Sequence, residues 1–165
     1  MSSERQGVVS AASWETWRTY GLYLSVILLA NFIWEVLQLP LYTIWESGGK
    51  REIAFAVLHC TAGDLLIAAL TLGFAHMALG RNWPSGHFWR VAAGATGLGV
   101  AYTAFSEWLN TSVERNWAYS DLMPIVPLAG VEIGLSPLLQ WAIIPPLGFV
   151  FVRWQQTMAK SRDLT

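Results

Sequence analysis

Residues 20–45, YGLYLSVILLANFIWEVLQLPLYTIW, decide the fold class of this chain. A helix needs roughly 20 mostly apolar residues to cross the hydrocarbon core of a bilayer. The stretch exceeds that length and contains a single charged residue, Glu35. Because lipid offers no partner for free backbone groups, a spanning segment is expected to be helical. The stretch therefore predicts a transmembrane helix with one carboxyl group near its middle.

Three further windows have the same apolar character, at residues 53–79, 88–109 and 125–152. The chain is 54% hydrophobic and 13% charged, about half of the roughly 25% charged share usual in soluble domains. We therefore predict an all-α, polytopic integral membrane protein whose single membrane domain is a four-helix transmembrane bundle. Polar tails are expected at residues 1–18 and 153–165.

The charge and the cysteine content narrow the possible functions. The formal net charge of −1 argues against a nucleic-acid partner, which favours a strongly basic chain. The single cysteine, Cys60, excludes an internal disulfide and a cysteine-based zinc site. We expect no cofactor and no metal, because only one of the three histidines, His59, falls deep within a predicted span.

Lysine and arginine are distributed unevenly about the four predicted spans. Seven lie on the side of the two termini and the second connection, and three lie on the other side. Because these residues favour the cytoplasmic side, both termini are predicted to be cytoplasmic. The third connection, residues 110–124, contains Trp117 and Tyr119 and is a candidate lid or pocket rim on the non-cytoplasmic side.

Each predicted span carries polar side chains, mostly toward its non-cytoplasmic end. In the first span Asn31, Glu35 and Gln38 share one helical face, because they are four and three residues apart. The other spans contribute His59, Asp64, Glu107, Glu132 and Gln140. We predict that these groups meet in a polar pocket in the outer half of the bundle.

The predicted pocket contains groups suited to acid–base chemistry. A charged group at the bilayer centre costs about 2.5–3.5 kcal/mol on insertion scales, and chains retain one that is paired, hydrated or functional. Two neighbouring carboxyl groups differ in protonation, so Glu35 and Asp64 are the candidate catalytic acid and base. His59 and Glu107 are the candidate relay or supporting groups. Alternatively, Glu35 forms a purely structural clamp with Gln140 or His59.

Substrate-binding residues are expected on the walls of the same pocket. Trp34 and Trp141 lie in mid-span, and their ring faces can stabilise a cation. The remaining candidates are amide, aromatic and acidic side chains: Asn31, Gln38, Trp117, Tyr119, Glu132 and Gln140.

The order of these features resembles the emopamil-binding-protein superfamily of small helical membrane proteins, which includes a sterol isomerase. The resemblance covers most of residues 20–150. It is carried by Asn31 with Glu35, His59 with Asp64, Glu107, and the segment LLQWAIIPP at 138–146. It implies a helical bundle with an intramembrane cavity that protonates or isomerises a polycyclic or isoprenoid alkene without a cofactor.

Three functions remain open on the sequence. The first is a cofactor-free, isomerase-like or lyase-like enzyme that isomerises or hydrates an apolar lipid or isoprenoid-type molecule. The second is a transporter for protons or a small cation, although polar groups become sparse on the cytoplasmic side of Gln140. The third is a non-catalytic lipid-binding or assembly subunit, in which replacing Glu35 would leave lipid binding largely intact.

Overall fold

The computed structural model describes residues 2–80, 82–128 and 130–162, and the side chains of 2–12, 160 and 162 lie outside that description. The described chain is mostly helical. Its elements in order are α1 (Ser2–Gln38), a 3-10 turn (Leu39–Leu41), α2 (Ile44–Ser47), α3 (Lys50–Leu79), α4 (Phe88–Trp108), a π turn (Leu109–Val113), β1 (Ile125–Leu128), β2 (Val131–Gly134) and α5 (Leu135–Arg162).

Three segments are helical, long and apolar enough to cross a membrane: Ser13–Leu41, Lys50–Leu79 and Leu135–Ala159. They indicate a multi-pass membrane protein. Helix α4 is not among them, and it carries Arg90 and Glu107 near its two ends. Only 28%, 22% and 44% of the three apolar windows is buried inside the protein. Most of their side chains therefore face outward, as they would toward lipid.

The four long helices pack so that α1 and α4 each contact both α3 and α5. At one end of this bundle, the loop end, α1 and α4 finish while α3 and α5 begin. At the opposite end, the terminal end, α1 and α4 begin while α3 and α5 finish. Gln156 of α5 donates a hydrogen bond of 3.1 Å to Thr19 of α1, which fixes the two helices to each other at the terminal end.

The terminal half of the bundle is filled by apolar and aromatic side chains. Tyr23 stacks on Phe149 with ring centroids 4.3 Å apart. Ile27 and Leu72 are completely buried beside them. The centre of this half is therefore a packed apolar core.

Helix α4 approaches α5 closely because small residues recur along one of its faces. Ala95, Gly99 and Thr103 are four residues apart, and all three are buried. A Cβ atom added at Gly99 would lie 2.1 Å from Cε3 of Trp141. The indole ring of Trp141 therefore packs directly on the α4 backbone, which sets its position in the bundle.

The predicted fourth span at residues 125–152 is wrong at its start, because α5 begins only at Leu135. Ile125–Leu128 and Val131–Gly134 pair as two antiparallel strands instead, a short exception in a chain that is mostly helical. The local sequence favours strands, since it is rich in β-branched residues and places Pro127 where a helix would need a backbone N–H. Gly130 adopts a φ of +82° in the connecting loop, a conformation that glycine tolerates best.

The third connection is fastened to the end of α1. Residues 117–120 lie against residues 40–43, and we call these two segments together the roof. Ser120 N donates to the Leu41 carbonyl at 2.9 Å, and Ser120 Oγ donates to the Pro40 carbonyl at 2.8 Å. The segment predicted as a lid is thus held in place by backbone hydrogen bonds.

Candidate functional site

A cavity of about 1050 Å³ lies in the loop half of the bundle. Its wall is formed by α1, α3, α4 and α5, together with the roof residues Tyr42, Thr43 and Trp117. Ligand pockets in proteins are usually about 300–1,000 Å³ in volume. The cavity is therefore large enough for a ligand of drug or lipid size.

The inner wall of the cavity contains a cluster of amide and carboxyl groups from three helices. Gln140 Nε2 donates to Glu35 Oε1 at 3.0 Å and to Asp64 Oδ2 at 2.9 Å. The same nitrogen lies 2.8 Å from Asn31 Oδ1. Since an amide NH₂ group has two hydrogens, three acceptors compete for them. Glu35 Oε1 and Asp64 Oδ2 are both bonded to Gln140 Nε2, so the distance between these two oxygens cannot exceed the sum of the two bond distances. Glu35 and Asp64 are therefore direct neighbours.

A chain of hydrogen bonds holds Glu35 from the other side. Gln38 Nε2 donates to Glu35 Oε1 at 2.9 Å, and Ser136 Oγ donates to Gln38 Oε1 at 2.9 Å. Trp34 Nε1 in turn donates to Ser136 Oγ at 3.2 Å. Trp34 does not line the cavity, so its predicted role as a cavity wall is wrong. One residue along a helix is about 100° of rotation, which turns Trp34 away from the face of Glu35.

Both carboxyl oxygens of Asp64 accept hydrogen bonds. Trp141 Nε1 donates to Oδ1 at 3.2 Å, while Gln140 donates to Oδ2. Trp141 also lines the cavity. Because its ring is seated on Gly99, Trp141 both forms part of the wall and positions Asp64.

Glu107 is the third carboxyl group on the wall, at the loop end of α4. The Tyr119 hydroxyl donates to Glu107 Oε2 at 2.5 Å and accepts from Gly134 N at 2.9 Å. Burial, followed by this hydrogen bond to Glu107, raises the pKa of Tyr119 above its ordinary value. Tyr119 therefore remains a donor at neutral pH. The buried indole N–H of Trp117 lies close to Glu107 without completing a hydrogen bond of ordinary geometry.

The charges around the cavity are unbalanced. In the described part of the chain, no lysine or arginine forms an ion pair with Glu35, Asp64 or Glu107. Arg51 lines the cavity only at its rim, where it is exposed. Because like charges repel strongly where water is scarce, the inner wall favours a neutral or cationic group over an anionic one.

His59 lines the cavity from α3 without joining the carboxyl cluster. It is exposed, and its ring stacks on Phe55 at a centroid distance of 5.4 Å. Within the described residues it makes no hydrogen bond to a carboxyl group, so the predicted relay is not formed. The reason is helical geometry, since His59 and Asp64 are five positions apart, which is about 140° around the helix.

The predicted site residues divide into two groups. Eight line the cavity: Glu35, Gln38, His59, Asp64, Glu107, Trp117, Gln140 and Trp141. Of the others, Asn31 is buried behind Gln140, and Tyr119 lies behind Glu107. Glu132 is exposed on β2, opposite Pro127, and does not line the cavity, so its predicted place in the polar pocket is wrong. The chemical roles of the lining residues remain predictions.

The site residues predicted from the sequence leave out Ser136 and Tyr42. Ser136 links Trp34 to Gln38, and its spacing of four residues from Gln140 places both on one helical face, although it was not named as a site residue. Tyr42 lines the cavity, and its ring packs on Tyr119 at 5.7 Å. Its position just beyond the end of a span gave no comparable signal, because the fold of the roof depends on residues far along the chain.

Comparison with known proteins yields no match to a protein-family model, a curated protein or a solved structure. The resemblance to the emopamil-binding-protein superfamily therefore remains a prediction from residue order. In the described part of the chain, no group of three or more His, Cys, Asp or Glu side chains is arranged to hold a metal ion. The fold defines the class as a mostly helical, multi-pass membrane protein.

Proposed function

We propose that this chain spans the membrane four times, with α4 as a span, and binds an apolar lipid or isoprenoid-type molecule in its cavity. We further propose that it isomerises or hydrates this molecule by acid–base chemistry. The supporting observation is the Glu35–Asp64 pair on the wall of a ligand-sized cavity, with no counter-cation among the described residues. The lysine and arginine distribution favours the loop end as the outer end, with both termini cytoplasmic.

The paired carboxyl groups suit proton transfer. Two carboxyl groups in an apolar site are most stable with one proton between them, because two adjacent charges repel and both lose hydration. Glu35 and Asp64 therefore serve as one acid and one base. Asn31 and Gln140 are positioning residues that hold the two groups together.

In the proposed isomerisation, the acid gives its proton to one carbon of an alkene, and the π electrons form the new C–H bond. The adjacent carbon becomes a carbocation, which the ring face of Trp141 and the remaining carboxylate stabilise. A carboxylate of the site, with Glu107 as a further candidate, then removes a proton from a neighbouring carbon. The C–H electrons form the shifted double bond, and the proton count of the site is unchanged. In hydration, water adds to the cation and releases a proton to the carboxylate.

The structure favours the transporter less, and an experiment separates the enzyme from the non-catalytic lipid-binding subunit. A proton or small-cation transporter needs a polar path through the bundle, whereas Tyr23, Leu72 and Phe149 fill the centre of the terminal half. This packing favours a pocket that opens on one side. A non-catalytic lipid-binding subunit would use the same cavity, and only a reaction distinguishes it from an enzyme.

The test is incorporation of deuterium into lipid. The full chain, reconstituted in phosphatidylcholine liposomes with a neutral-lipid extract, is incubated in D₂O, and the lipids are analysed by mass spectrometry. Protonation at carbon introduces deuterium that does not wash out afterwards in H₂O. We expect the wild type to label a lipid and Glu35→Gln to lose this activity.

The matched control is Glu132→Gln, because Glu132 is an exposed carboxyl group outside the cavity. It is expected to label lipid at the wild-type rate. Equal labelling by Glu35→Gln would refute the acid–base role of Glu35. A wild type that binds lipid without labelling it would instead favour the non-catalytic subunit.

A further inference from the structure

The cavity is closed on one side and open on the other. The lining side chains from α1 and α5 are buried: Glu35, Gln38, Gln140 and Trp141. Some lining side chains from α3 and α4 are exposed as well as facing the cavity, although Val57, Thr103 and Glu107 are buried. Phe55 is 67% exposed, Tyr102 is 48% exposed, and His59 is also exposed. The cavity is therefore open between α3 and α4. It also has an exposed rim at the loop end, formed by Thr43, Ser47, Arg51, Glu52 and Asn116.

The depth of this opening follows from helix geometry. Helix α3 has 30 residues and is about 45 Å long, against a hydrocarbon core of about 30 Å. If α3 is centred in the bilayer, hydrocarbon begins about 7.5 Å from its first residue, at the level of Phe55, and His59 lies about 6 Å deeper. On α4, Tyr102 lies about 9 Å before the last residue, Trp108. The part of the opening between α3 and α4 thus lies at hydrocarbon depth, whereas its loop-end rim lies outside it.

The roof restricts approach to the carboxyl groups from the loop end. The backbone of Tyr42 and Tyr119 forms a β-bridge, and Tyr119 is hydrogen-bonded to Glu107 directly beneath it. The position of His59 is a separate indication that a polar group or water reaches this opening. An exposed imidazole at hydrocarbon depth is costly unless it meets a polar group or water, and no described side chain supplies a hydrogen bond to it.

We propose that the ligand enters and leaves the cavity sideways from the bilayer, through the opening flanked by Phe55, His59 and Tyr102. It would be an amphiphile whose neutral or cationic polar end reaches Glu35 and Asp64, while a long apolar part extends between α3 and α4 into lipid. An anionic end is disfavoured by the uncompensated carboxyl groups. This inference rests on the proposed function for its ligand, but the route is tested separately.

The single cysteine of the chain, Cys60, lines the cavity and reports on the route without mutation. The full chain in phosphatidylcholine liposomes is treated either with a long-chain alkyl maleimide, which partitions into the bilayer, or with a sulfonated maleimide, which stays in water. Labelling is followed by mass spectrometry. We expect the alkyl reagent to label Cys60 at least about tenfold faster than the sulfonated reagent.

Two reference positions in a Cys60→Ser chain calibrate the reagents. Leu58→Cys lies on an exposed part of α3 outside the cavity and reports labelling from lipid. Ser112→Cys is exposed in the third connection and reports labelling from water. The rates at Cys60 are expressed relative to these two positions, so the difference between reagents reflects access and not intrinsic reactivity.

The size of the opening provides the second measurement. Tyr102→Ala widens the opening and is expected to raise the alkyl labelling rate of Cys60 several-fold. Phe105→Ala is the matched control, because Phe105 is a similarly exposed aromatic residue on α4 that does not line the cavity. It is expected to leave the rate unchanged.

Three outcomes would overturn the lateral route. The first is labelling of Cys60 by the sulfonated reagent at a rate equal to or above the alkyl rate. The second is no labelling by either reagent while the unfolded chain reacts, and the third is an equal effect of Tyr102→Ala and Phe105→Ala. Deuterium incorporation that still depends on Glu35 would then leave the proposed reaction intact and reject only the route.

Discussion

Replacing Gln140 with leucine tests whether one amide holds the site together. In the folded protein Gln140 Nε2 has three acceptors, on Asn31, Glu35 and Asp64. After Gln140→Leu, Glu35 retains its bond from Gln38, and Asp64 retains its bond from Trp141. Asn31 Oδ1 loses the side-chain donor that the structure gives it. The variant therefore leaves the buried Asn31 Oδ1 unpaired, and Glu35 and Asp64 each lose one hydrogen bond.

The magnitude follows from the number of bonds lost. Gln140 forms at most two donated bonds, and its carbonyl oxygen accepts a third from Gln38 Nε2 at 3.5 Å. Side-chain hydrogen bonds in a membrane protein average about 0.6 kcal/mol and reach about 1.7 kcal/mol, so these three bonds amount to about 2 kcal/mol and at most about 5 kcal/mol. Gln156→Leu is the matched control, because Gln156 lies on the same helix, donates to Thr19 and accepts one bond from Arg153 at 3.4 Å. Its expected cost, for two bonds at the average value, is about 1 kcal/mol.

The free energy of unfolding is measured for the wild type and both variants by titration with sodium dodecyl sulfate in mixed micelles. We expect Gln140→Leu to lose clearly more stability than Gln156→Leu. If the two variants lose the same amount of stability, Gln140 does not hold Asn31, Glu35 and Asp64 in one cluster, and Glu35 and Asp64 are not neighbours.

Two further predictions concern the walls of the cavity. Gly99→Ala forces a Cβ into the Trp141 ring and is expected to cost about 1–3 kcal/mol in the same unfolding titration. Gly97→Ala, with open space around its Cβ, is the control and is expected to be neutral or slightly stabilising. Equal costs would contradict the packing of Trp141 on Gly99. The raised pKa of Tyr119 gives stability that is present below pH about 10 and lost as pH rises further, because the unfolded side chain ionises first. Tyr119→Phe should therefore flatten the decline in stability above pH 10, and a decline parallel to that of the wild type would refute the assignment.

The apolar windows predicted the long helices well, because length and hydropathy reflect a constraint that lipid imposes on every spanning segment. The predicted window 53–79 falls within α3, and the window 88–109 nearly coincides with α4. The start of α5 was missed because residues 125–134 are apolar enough for a span, while their β-branched residues favour a hairpin. Hydropathy alone does not distinguish these alternatives.

The site was predictable where it depends on one helix and unpredictable where it depends on several. The spacing of Glu35 and Gln38 placed both on one face of α1, and both line the cavity. The contact between Gln140 and three other side chains depends on the relative rotation of α1, α3 and α5, which no single-helix pattern contains. Trp34 was predicted incorrectly for a related reason. Its mid-span position indicated a pocket wall, but its rotation on α1 directs its side chain to Ser136.

Native mass spectrometry of the purified chain tests the central claim most directly, namely that the cavity holds a lipid beside the carboxyl pair. Gly63 lines the cavity and Gly73 does not, although both lie on α3 with open space around the Cβ position. We predict that the wild type and Gly73→Phe carry a bound apolar lipid, and that Gly63→Phe, with its ring in the cavity, loses it. Equal lipid occupancy in Gly63→Phe and Gly73→Phe would contradict the account.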